Sequence, residues 1–232
     1  MKTKLAVISG GSSGLGFSIA KQLVLNNYPV AILGRNKMKL NNALNTLNAD
    51  FSSKVIIEEC NISNEEEVET VISRLSNNYE ISHLFNNAGV GFFGKPEDNK
   101  SNLIKEVFSA NVDGMILLTS ALLRNTSAEK GAVIINILST SALTGRANES
   151  LYCAAKWAAR GYTESLKAYT KGTNFKVIAV YPGGMKTPFW NKIPNSGFES
   201  FMNPDDVAKK IVEAAFSIDS ALISDIHINR IL

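Results

Sequence analysis

The chain has 232 residues, 45% of them hydrophobic and 19% charged, a composition typical of a folded globular protein with a sizeable core. The net charge of +3 is small and dispersed, which argues against a nucleic-acid-binding surface. We see no signal peptide and no apolar run as long as a membrane span, so we expect one cytoplasmic domain over residues 1–232. The two cysteines and two histidines are isolated from one another, and we expect no metal site.

The first predicted element is a buried strand at Lys4–Ser9, followed by a glycine-rich loop and a helix with Leu15, Ile19 and Leu23 on one face. The loop at residues 10–16 therefore lies where a dinucleotide-binding loop must lie, between a strand and a helix. Glycines let the backbone turn tightly and approach a pyrophosphate, and the helix start offers N–H groups to it. An ordinary strand-to-helix turn is the alternative.

The second predicted strand, at residues 30–33, ends in Gly34 and Arg35. Many dinucleotide-binding folds carry an acidic residue here, which accepts hydrogen bonds from the adenine ribose. An arginine would instead pair with a 2′-phosphate on that ribose, so the sequence favours NADP over NAD. A solvated arginine after a strand is the alternative.

Strands and helices continue to alternate along the chain. We predict further strands at residues 55–57, 81–85, 132–138, 175–181 and 221–228. We predict further helices at residues 38–47, 103–123, 151–170 and 204–216, and one through Glu65 that is capped by Ser63. This alternation predicts an α/β fold, a Rossmann-like doubly wound parallel sheet of about seven strands with helices on both faces.

Tyr152 and Lys156 are four residues apart in a predicted helix and therefore lie on one face of it. A neighbouring ammonium favours the phenolate and lowers the phenol pKa from about 10, which would make Tyr152 a general acid or base. The pair alone is common by chance, and two residues on a solvated face are the alternative. Polar residues nevertheless follow the ends of several predicted strands, and these ends meet at one edge of a parallel sheet that Tyr152 can also face.

In this order, the motifs resemble those of the short-chain dehydrogenase/reductase family in its single-domain form, over essentially the whole chain. Residues 9–16 fit the family's Thr-Gly-x-x-x-Gly-x-Gly loop with serine in place of threonine, and residues 86–89 match its Asn-Asn-Ala-Gly element. Ser139 lies thirteen positions before Tyr152, as the family's catalytic serine does. The Pro-Gly turn that begins at Pro182 and the following Thr187 complete the pattern.

The resemblance implies an NADPH-dependent carbonyl reductase that can run in reverse as an alcohol dehydrogenase. Tyr152 would donate a proton to the developing alkoxide, and Ser139 would orient the carbonyl oxygen. Lys156 would lower the Tyr152 pKa and bind the nicotinamide ribose, and Asn111 would place the lysine through a water molecule. Ser141 is a rival to Ser139 in the same loop, and Asn111 could merely cap or kink a helix.

The resemblance also implies a nucleotide site at the strand ends, for NADP(H). Its predicted members are Ser9, Gly10, Ser12, Ser13, Gly14, Leu15, Gly16, Arg35, Asn61, Ile62, Asn87, Ala88, Gly89, Tyr152, Lys156, Pro182, Gly183 and Thr187. Asn61 replaces the family's usual aspartate, and its amide oxygen can still accept a hydrogen bond from the adenine. The implied partners are a small carbonyl or alcohol substrate and further copies of the chain, as a homodimer or homotetramer, with no nucleic acid or membrane.

Residues 185–203 are expected to form a short, irregular substrate lid. Phe92, Phe93, Phe189 and Trp190 could give the substrate pocket an apolar wall, although core packing is the commoner fate of such residues.

Three other functions stay open. A 3-oxoacyl-carrier-protein reductase would need a basic patch for its acidic partner, whereas lysine and arginine are scattered here. A catalytically silent NADP-binding regulator would keep the glycine loop and lose the four catalytic positions, which are all present. A sugar-nucleotide epimerase would usually require a larger C-terminal region.

Overall fold

The computed structural model describes residues 2–50, 54–191, 198–217 and 221–231. Within these residues the strands are β1 Lys4–Ser9, β2 Val30–Gly34, β3 Val55–Glu59, β4 Glu80–Asn86, β5 Val133–Ile137, β6 Lys176–Pro182 and β7 Asp225–Ile228. The α-helices are α1 Gly14–Leu25, α2 Lys37–Asp50, α3 Glu65–Asn78, α4 Ser101–Phe108, α5 Gly114–Asn125, α6 Ser150–Tyr169 and α7 Pro204–Phe216. A π-helical turn, Ser109–Asp113, joins α4 to α5.

The strands form a seven-stranded sheet in the order β3-β2-β1-β4-β5-β6-β7, and each neighbouring pair is parallel. The order reverses where β1 lies beside β4, and in such sheets a crevice opens there at the carboxyl ends of the strands. This topology confirms the predicted doubly wound, Rossmann-like fold.

Two hydrophobic cores cover the two faces of the sheet, because successive side chains of a strand point to opposite faces. Ala6 and Ile8 of β1 belong to the core that α1, α2 and α7 complete. Leu5 and Val7 belong to the opposite core, which α3 and α5 complete. The sheet is thus held rigidly between two helical layers, and its carboxyl edge is free to carry loops.

The predicted helix over residues 103–123 is three elements in the structure, α4, the π-helical turn and α5. The side chain of Asn111 provides the reason. Its Nδ2 donates hydrogen bonds to the carbonyl of Val107, four residues earlier, at 2.9 Å and to the carbonyl of Val90 at 2.7 Å. A regular α-helix would leave the Val107 carbonyl to a backbone N–H, so the amide interrupts the ladder and the turn widens.

The cap of α3 differs from the prediction. Asn64, not Ser63, is the N-cap, and its Oδ1 accepts hydrogen bonds from the N–H groups of Glu66 and Glu67 at 3.0 and 3.2 Å. Ser63 instead donates its hydroxyl to the Ser109 carbonyl at 2.8 Å, which ties the start of α3 to the π-helical turn. The last strand is also shorter than predicted and begins at Asp225.

Taken together across the π-helical turn, Ser101–Asn125 is long and apolar enough to cross a membrane by length and composition alone, whereas we expected no such run. Leu118, Ala121 and Leu122 of this stretch are buried in the core beside the sheet. That position is typical of a core helix and explains its apolar character.

Part of the predicted lid lies in the described residues. A short 3-10 helix spans Pro188–Trp190, a second spans Phe198–Ser200, and Met185 forms an isolated bridge with Met202. Residues 192–197 of the predicted lid lie outside the described residues.

Candidate active site

A cavity of about 570 Å³ opens at the carboxyl edge of the sheet. It is lined by the loops that follow β1, β2, β3, β4, β5 and β6 and by the start of α6. Every predicted catalytic or nucleotide-binding residue lines it except Ser9 and Gly16. The cavity therefore joins the motifs that the sequence places far apart.

The glycine loop contains positions at which a residue with a side chain would be strained. Gly10 and Gly14 have φ angles of +66° and +54°, in the left-handed region. A Cβ at Gly16 would lie 2.4 Å from the Gly10 carbonyl oxygen and 2.4 Å from Nδ2 of Asn87. The loop thus turns tightly against the end of β4 and leads into α1, whose first-turn N–H groups receive no side-chain cap from Ser13. This cradle fits a bound phosphate group.

Ser9 was predicted to bind the nucleotide, but the structure places it beneath the site. Its hydroxyl is buried and accepts hydrogen bonds from the N–H groups of Asn87 and Ala88 at 3.0 and 3.1 Å. Asn87 returns a bond from Nδ2 to the Ser9 carbonyl at 3.0 Å. Ser9 therefore fixes the β4 loop against the glycine loop, and this explains why a hydroxyl is kept where the family has threonine.

Arg35 and Lys39 are exposed at the end of the cavity next to β2. Asn36 Oδ1 accepts a hydrogen bond from the Lys39 N–H at 2.9 Å and so begins α2 with the lysine one turn after the arginine. Lys39 was not among the predicted site residues. It follows Arg35 by four residues where a helix begins, and this spacing indicates that the two cations lie on the same side of that helix.

Asn61 lies at the neighbouring strand end, after β3, and is held by the first turn of α3. Its N–H donates to Glu67 Oε2 at 2.7 Å, and its Oδ1 accepts from the Ser63 N–H at 3.2 Å. The amide is therefore fixed at the cavity wall, in the position where the resemblance places the adenine contact.

Tyr152 stands in the first turn of α6 and is only 8% exposed. Burial raises the pKa of its phenol above the ordinary value, and a hydrogen bond with Ser139 acts in the opposite direction. The net shift is thus upward, opposite in direction to the expectation, because burial outweighs the groups that lower the Tyr152 pKa, and the Lys156 Nζ lies 5.7 Å from the phenol ring centroid. At neutral pH Tyr152 is thus a neutral, protonated phenol.

Lys156 and Asn111 face one small space beside Gly89. Lys156 Nζ donates to the Ile137 carbonyl at 3.0 Å, and burial lowers the pKa of its ammonium to about 8. The buried Oδ1 of Asn111 has no hydrogen-bond partner among the described residues. A Cβ at Gly89 would lie 2.6 Å from that oxygen and 3.7 Å from Lys156 Nζ. An open acceptor next to an ammonium fits a polar group held between them, as the resemblance implies.

The two rival serines have different surroundings. Ser141 donates its hydroxyl to Glu149 Oε2 at 2.9 Å and is thereby engaged. Ser139 Oγ accepts a hydrogen bond from the Ser141 N–H at 3.1 Å and is in contact with the Tyr152 phenol. The Ser139 hydroxyl is therefore the one placed to act with Tyr152. Glu149, a cavity residue, was not singled out from the sequence.

A buried network of polar side chains, also missed from the sequence, fixes α6 to the sheet. Asn86 of β4 donates to Asn136 of β5 at 2.9 Å and to Thr119 of α5 at 3.0 Å. Asn136 in turn donates to Thr163 of α6 at 2.9 Å. Together with the Lys156 bond to β5, this network sets the depth at which Tyr152 enters the cavity.

The four aromatic residues of the expected wall divide into two groups. Phe92 packs against a buried cluster that contains Val107 and Leu151, so this residue belongs to the core and not to the cavity wall. Phe93 and Phe189 instead lie with ring centroids 5.7 Å from that of Tyr152, and Trp190 contacts both of them.

Thr187, which directly precedes the short helix Pro188–Trp190, is buried and lies next to the glycine loop. A Cβ at Gly14 would lie 3.3 Å from Thr187 Cβ. The threonine therefore closes the cavity between the glycine loop and the aromatic residues.

Comparisons with known proteins agree with this site. The family profile of the short chain dehydrogenases matches residues 4–196. The chain is 29% identical to a 3-oxoacyl-[acyl-carrier-protein] reductase of Rickettsia typhi, over 97% of this chain and 95% of that protein. It is 26% identical to carbonyl reductase family member 4 of Xenopus laevis, over 96% and 94%. A 30% identical match to a sepiapterin reductase of Chlorobaculum tepidum spans only 63% of this chain and 60% of that protein.

Among solved structures, a short-chain dehydrogenase/reductase from Vibrio parahaemolyticus superposes with a TM-score of 0.85 at 33% identity, covering 97% of this chain and 99% of the other. An alcohol dehydrogenase from Thermococcus sibiricus in complex with 5-hydroxy-NADP has a TM-score of 0.89 at 22% identity, covering 99% and 97%, and at that identity it supports the fold alone. The profile match over most of the chain, with the fold and the site behind it, shows that this protein is an oxidoreductase of the short-chain dehydrogenase family.

Proposed function

We propose that this protein is an NADP(H)-dependent carbonyl reductase, reversible as an alcohol dehydrogenase. The observation that carries the proposal is the meeting of Asn111, Ser139, Tyr152 and Lys156 in the cavity that the glycine loop also lines. A catalytically silent nucleotide-binding regulator has no need of these four groups in this arrangement.

The residues present fit a dinucleotide. Gly10 and Gly14 form the cradle for its pyrophosphate at the start of α1, Asn61 stands where the adenine would lie, and Thr187 stands next to the glycine loop for the nicotinamide end. When bound, the nicotinamide supplies the hydride that reduces the carbonyl carbon. The protein supplies position, a proton and an environment that excludes water.

Ser139 and Tyr152 would hold the carbonyl oxygen between their hydroxyl groups, because both line the cavity and contact each other. Burial keeps the Tyr152 phenol protonated, so it can donate its proton to the oxygen as negative charge develops there. Lys156 and Asn111 would act behind the tyrosine. The ammonium stabilises the phenolate left after proton transfer, and the open Oδ1 of Asn111 fixes a polar group next to that ammonium.

Two cations support NADP(H) as the preferred nucleotide. Arg35 and Lys39 are exposed at the adenine end of the cavity, and no acidic residue occurs between β2 and Lys39 to accept a free ribose hydroxyl or repel a phosphate. Guanidinium and ammonium groups one helical turn apart suit a 2′-phosphate.

A 3-oxoacyl-carrier-protein reductase is a second candidate, favoured by the similarity to the Rickettsia typhi enzyme of that name. Such an enzyme would carry out the same carbonyl reduction on a 3-oxoacyl group that is linked to its carrier as a thioester. Because lysine and arginine residues are scattered, this candidate has less support than a reductase of free carbonyl compounds.

We further propose a cytoplasmic protein that works on a small-molecule substrate as a homodimer or homotetramer, by analogy with the family.

The test is nucleotide consumption by the wild-type protein against aldehydes, ketones, quinones and 3-oxoacyl thioesters, with NADPH and NADH in parallel. Turnover of one or more free carbonyl classes, faster with NADPH, is the expected result. Turnover of the thioesters alone would transfer the proposal to the second candidate. Tight NADPH binding without turnover of any class would favour a regulator.

A further inference from the structure

The Tyr152 ring is packed against aromatic rings. Phe93 and Phe189 each have centroids 5.7 Å from the Tyr152 ring, Phe93 lies 5.1 Å from Trp190, and Phe189 lies 5.3 Å from Trp190. The reacting phenol therefore contacts the Ser139 hydroxyl and two aromatic rings, and Trp190 packs against both of these rings.

A glycine fixes these rings in place. A Cβ at Gly91 would lie 2.4 Å from Cε2 of Phe93 and 2.5 Å from Cζ of Phe189. Both rings thus rest directly on the Gly91 backbone, and Phe93 and Phe189 meet edge to face at 5.9 Å. Trp190 is supported from the other side by Phe201 at 4.8 Å. The cluster is a packed wall, held from both ends.

Part of this wall is available to a ligand. Phe189 and Trp190 line the cavity and are only partly buried, whereas Phe93 stands behind them and does not line it. Pro188 and Met185 also line the cavity, and the described lining residues of 185–190 carry no charge. The charged residues nearest to Tyr152 in sequence are Glu149 and Lys156, and both line the cavity together with Arg146.

From this arrangement we infer the substrate class. We propose that the protein reduces aryl carbonyl compounds, whose ring lies against Phe189 and Trp190 while the carbonyl oxygen reaches Ser139 and Tyr152. The inference rests on the proposed function and adds the group that the cavity recognises beside the carbonyl. Aromatic pairs contribute free energy beyond area burial, so two rings favour an aryl over an equally large alicyclic group by on the order of tenfold.

The experiment compares acetophenone with cyclohexyl methyl ketone, which have the same carbon skeleton with and without an aromatic ring. In Phe189→Leu and Trp190→Leu, the ratio of kcat/KM for acetophenone to that for cyclohexyl methyl ketone should fall by on the order of tenfold, mainly through the KM for acetophenone. Phe198→Leu is the matched control, because Phe198 is an aromatic residue of the same region that does not line the cavity. Equal losses for both ketones, or none for either, would overturn the inference.

A binding measurement separates this inference from the proposed function. The chain has two tryptophans, so Trp157→Phe leaves Trp190 as the sole tryptophan fluorophore, and Trp157 lies on α6 outside the cavity lining. With NADP⁺ present, acetophenone should quench this fluorescence saturably and cyclohexyl methyl ketone should not. Saturable quenching without turnover of any carbonyl compound would refute the reductase and keep the aryl site. Turnover of acetophenone without quenching would refute the aryl site and keep the reductase.

Discussion

At the scale of single residues, the site depends on a buried phenol whose proton is retained by its surroundings. Burial raises the pKa of Tyr152 and lowers that of Lys156 to about 8, so each group is held closer to its neutral form. The four-residue spacing of Tyr152 and Lys156 correctly predicts that they share one helical face. It does not predict the direction of their pKa shifts, because the burial that causes these shifts depends on residues far away in the chain.

Removing the phenol tests its role as proton donor. Tyr152→Phe should lower kcat for carbonyl reduction by about a hundredfold or more, because the substituted ring cannot donate the proton that the carbonyl oxygen receives. Nucleotide affinity, measured by fluorescence titration with NADPH, should change little. Tyr169→Phe is the control, since Tyr169 is 74% exposed at the end of the same helix. A Tyr152→Phe protein with full activity would remove Tyr152 as the acid.

Charge reversal at Arg35 tests the nucleotide preference. Arg35→Asp should raise the ratio of kcat/KM with NADH to that with NADPH by on the order of tenfold or more, because a carboxylate repels a 2′-phosphate and accepts hydrogen bonds from a free ribose. Lys37→Asp makes the same charge change two residues away, at a residue that does not line the cavity. If both variants keep the wild-type ratio, Arg35 has no part in nucleotide choice.

At the scale of secondary-structure elements, the β4 loop and the π-helical turn meet next to the reacting groups. Asn111 donates to the carbonyls of Val90 and Val107, which joins the loop to the turn and leaves its own Oδ1 open beside Gly89. The apolar spacing of residues 103–123 predicts the helix but not its widened turn, because the interruption comes from one side-chain amide and a distant carbonyl. The misplaced cap at Ser63 has a similar origin, since its hydroxyl is used by that same turn.

A methyl group at Gly89 tests this junction. Gly89→Ala places a Cβ 2.6 Å from Asn111 Oδ1, so Asn111 or the loop must shift. We expect kcat to fall by about tenfold or more with little change in the midpoint of thermal unfolding, because the disturbance is local to the reacting groups. Gly145→Ala is the control, as a Cβ there meets nothing within 4 Å. A Gly89→Ala protein that matches the control in kcat would show that the junction does not matter for turnover.

The amino-terminal edge of the sheet carries a buried histidine that links β4 to α7. His83 stacks on Phe216 with ring centroids 4.0 Å apart, and its Nε2 lies 3.3 Å from the Ala215 carbonyl oxygen. Burial lowers the pKa of His83 to about 4, a hydrogen bond to Ala215 opposes this, and the charge of Lys4 adds to it. These contacts give His83 a structural role in the packing of α7 on β4.

This histidine makes stability depend on pH. Below about pH 6.5 the unfolded chain binds a proton at His83, whereas the folded protein resists it until about pH 4, so stability present above pH 6.5 is lost as the pH falls through that window. The loss amounts to at most about 3 kcal/mol. Urea unfolding at pH 7, 5.5 and 4.5 should show a weaker pH dependence in His83→Gln than in His227→Gln, whose histidine is exposed. Equal pH dependence in the two variants would contradict the account.

At the scale of the whole molecule, the fold brings together residues from six strand ends. The alternation of strands and helices is enough to predict this, because parallel strands deliver their carboxyl ends to one edge whatever their spacing in sequence. The contribution of Glu149 and the buried network of Asn86 and Asn136 could not be predicted in this way. They depend on which side chains face each other across neighbouring elements, and one sequence does not contain that information.

The central claim is that hydride and proton reach a carbonyl group in the cavity that holds Tyr152. The most direct measurement uses NADPH carrying deuterium at both positions of the nicotinamide C4, with acetophenone as the carbonyl compound and mass spectrometry of the alcohol. We predict one deuterium at the carbinol carbon with the wild-type protein and about a hundredfold slower labelling with Tyr152→Phe. Unlabelled product, or labelling at equal rates by both proteins, would contradict the account.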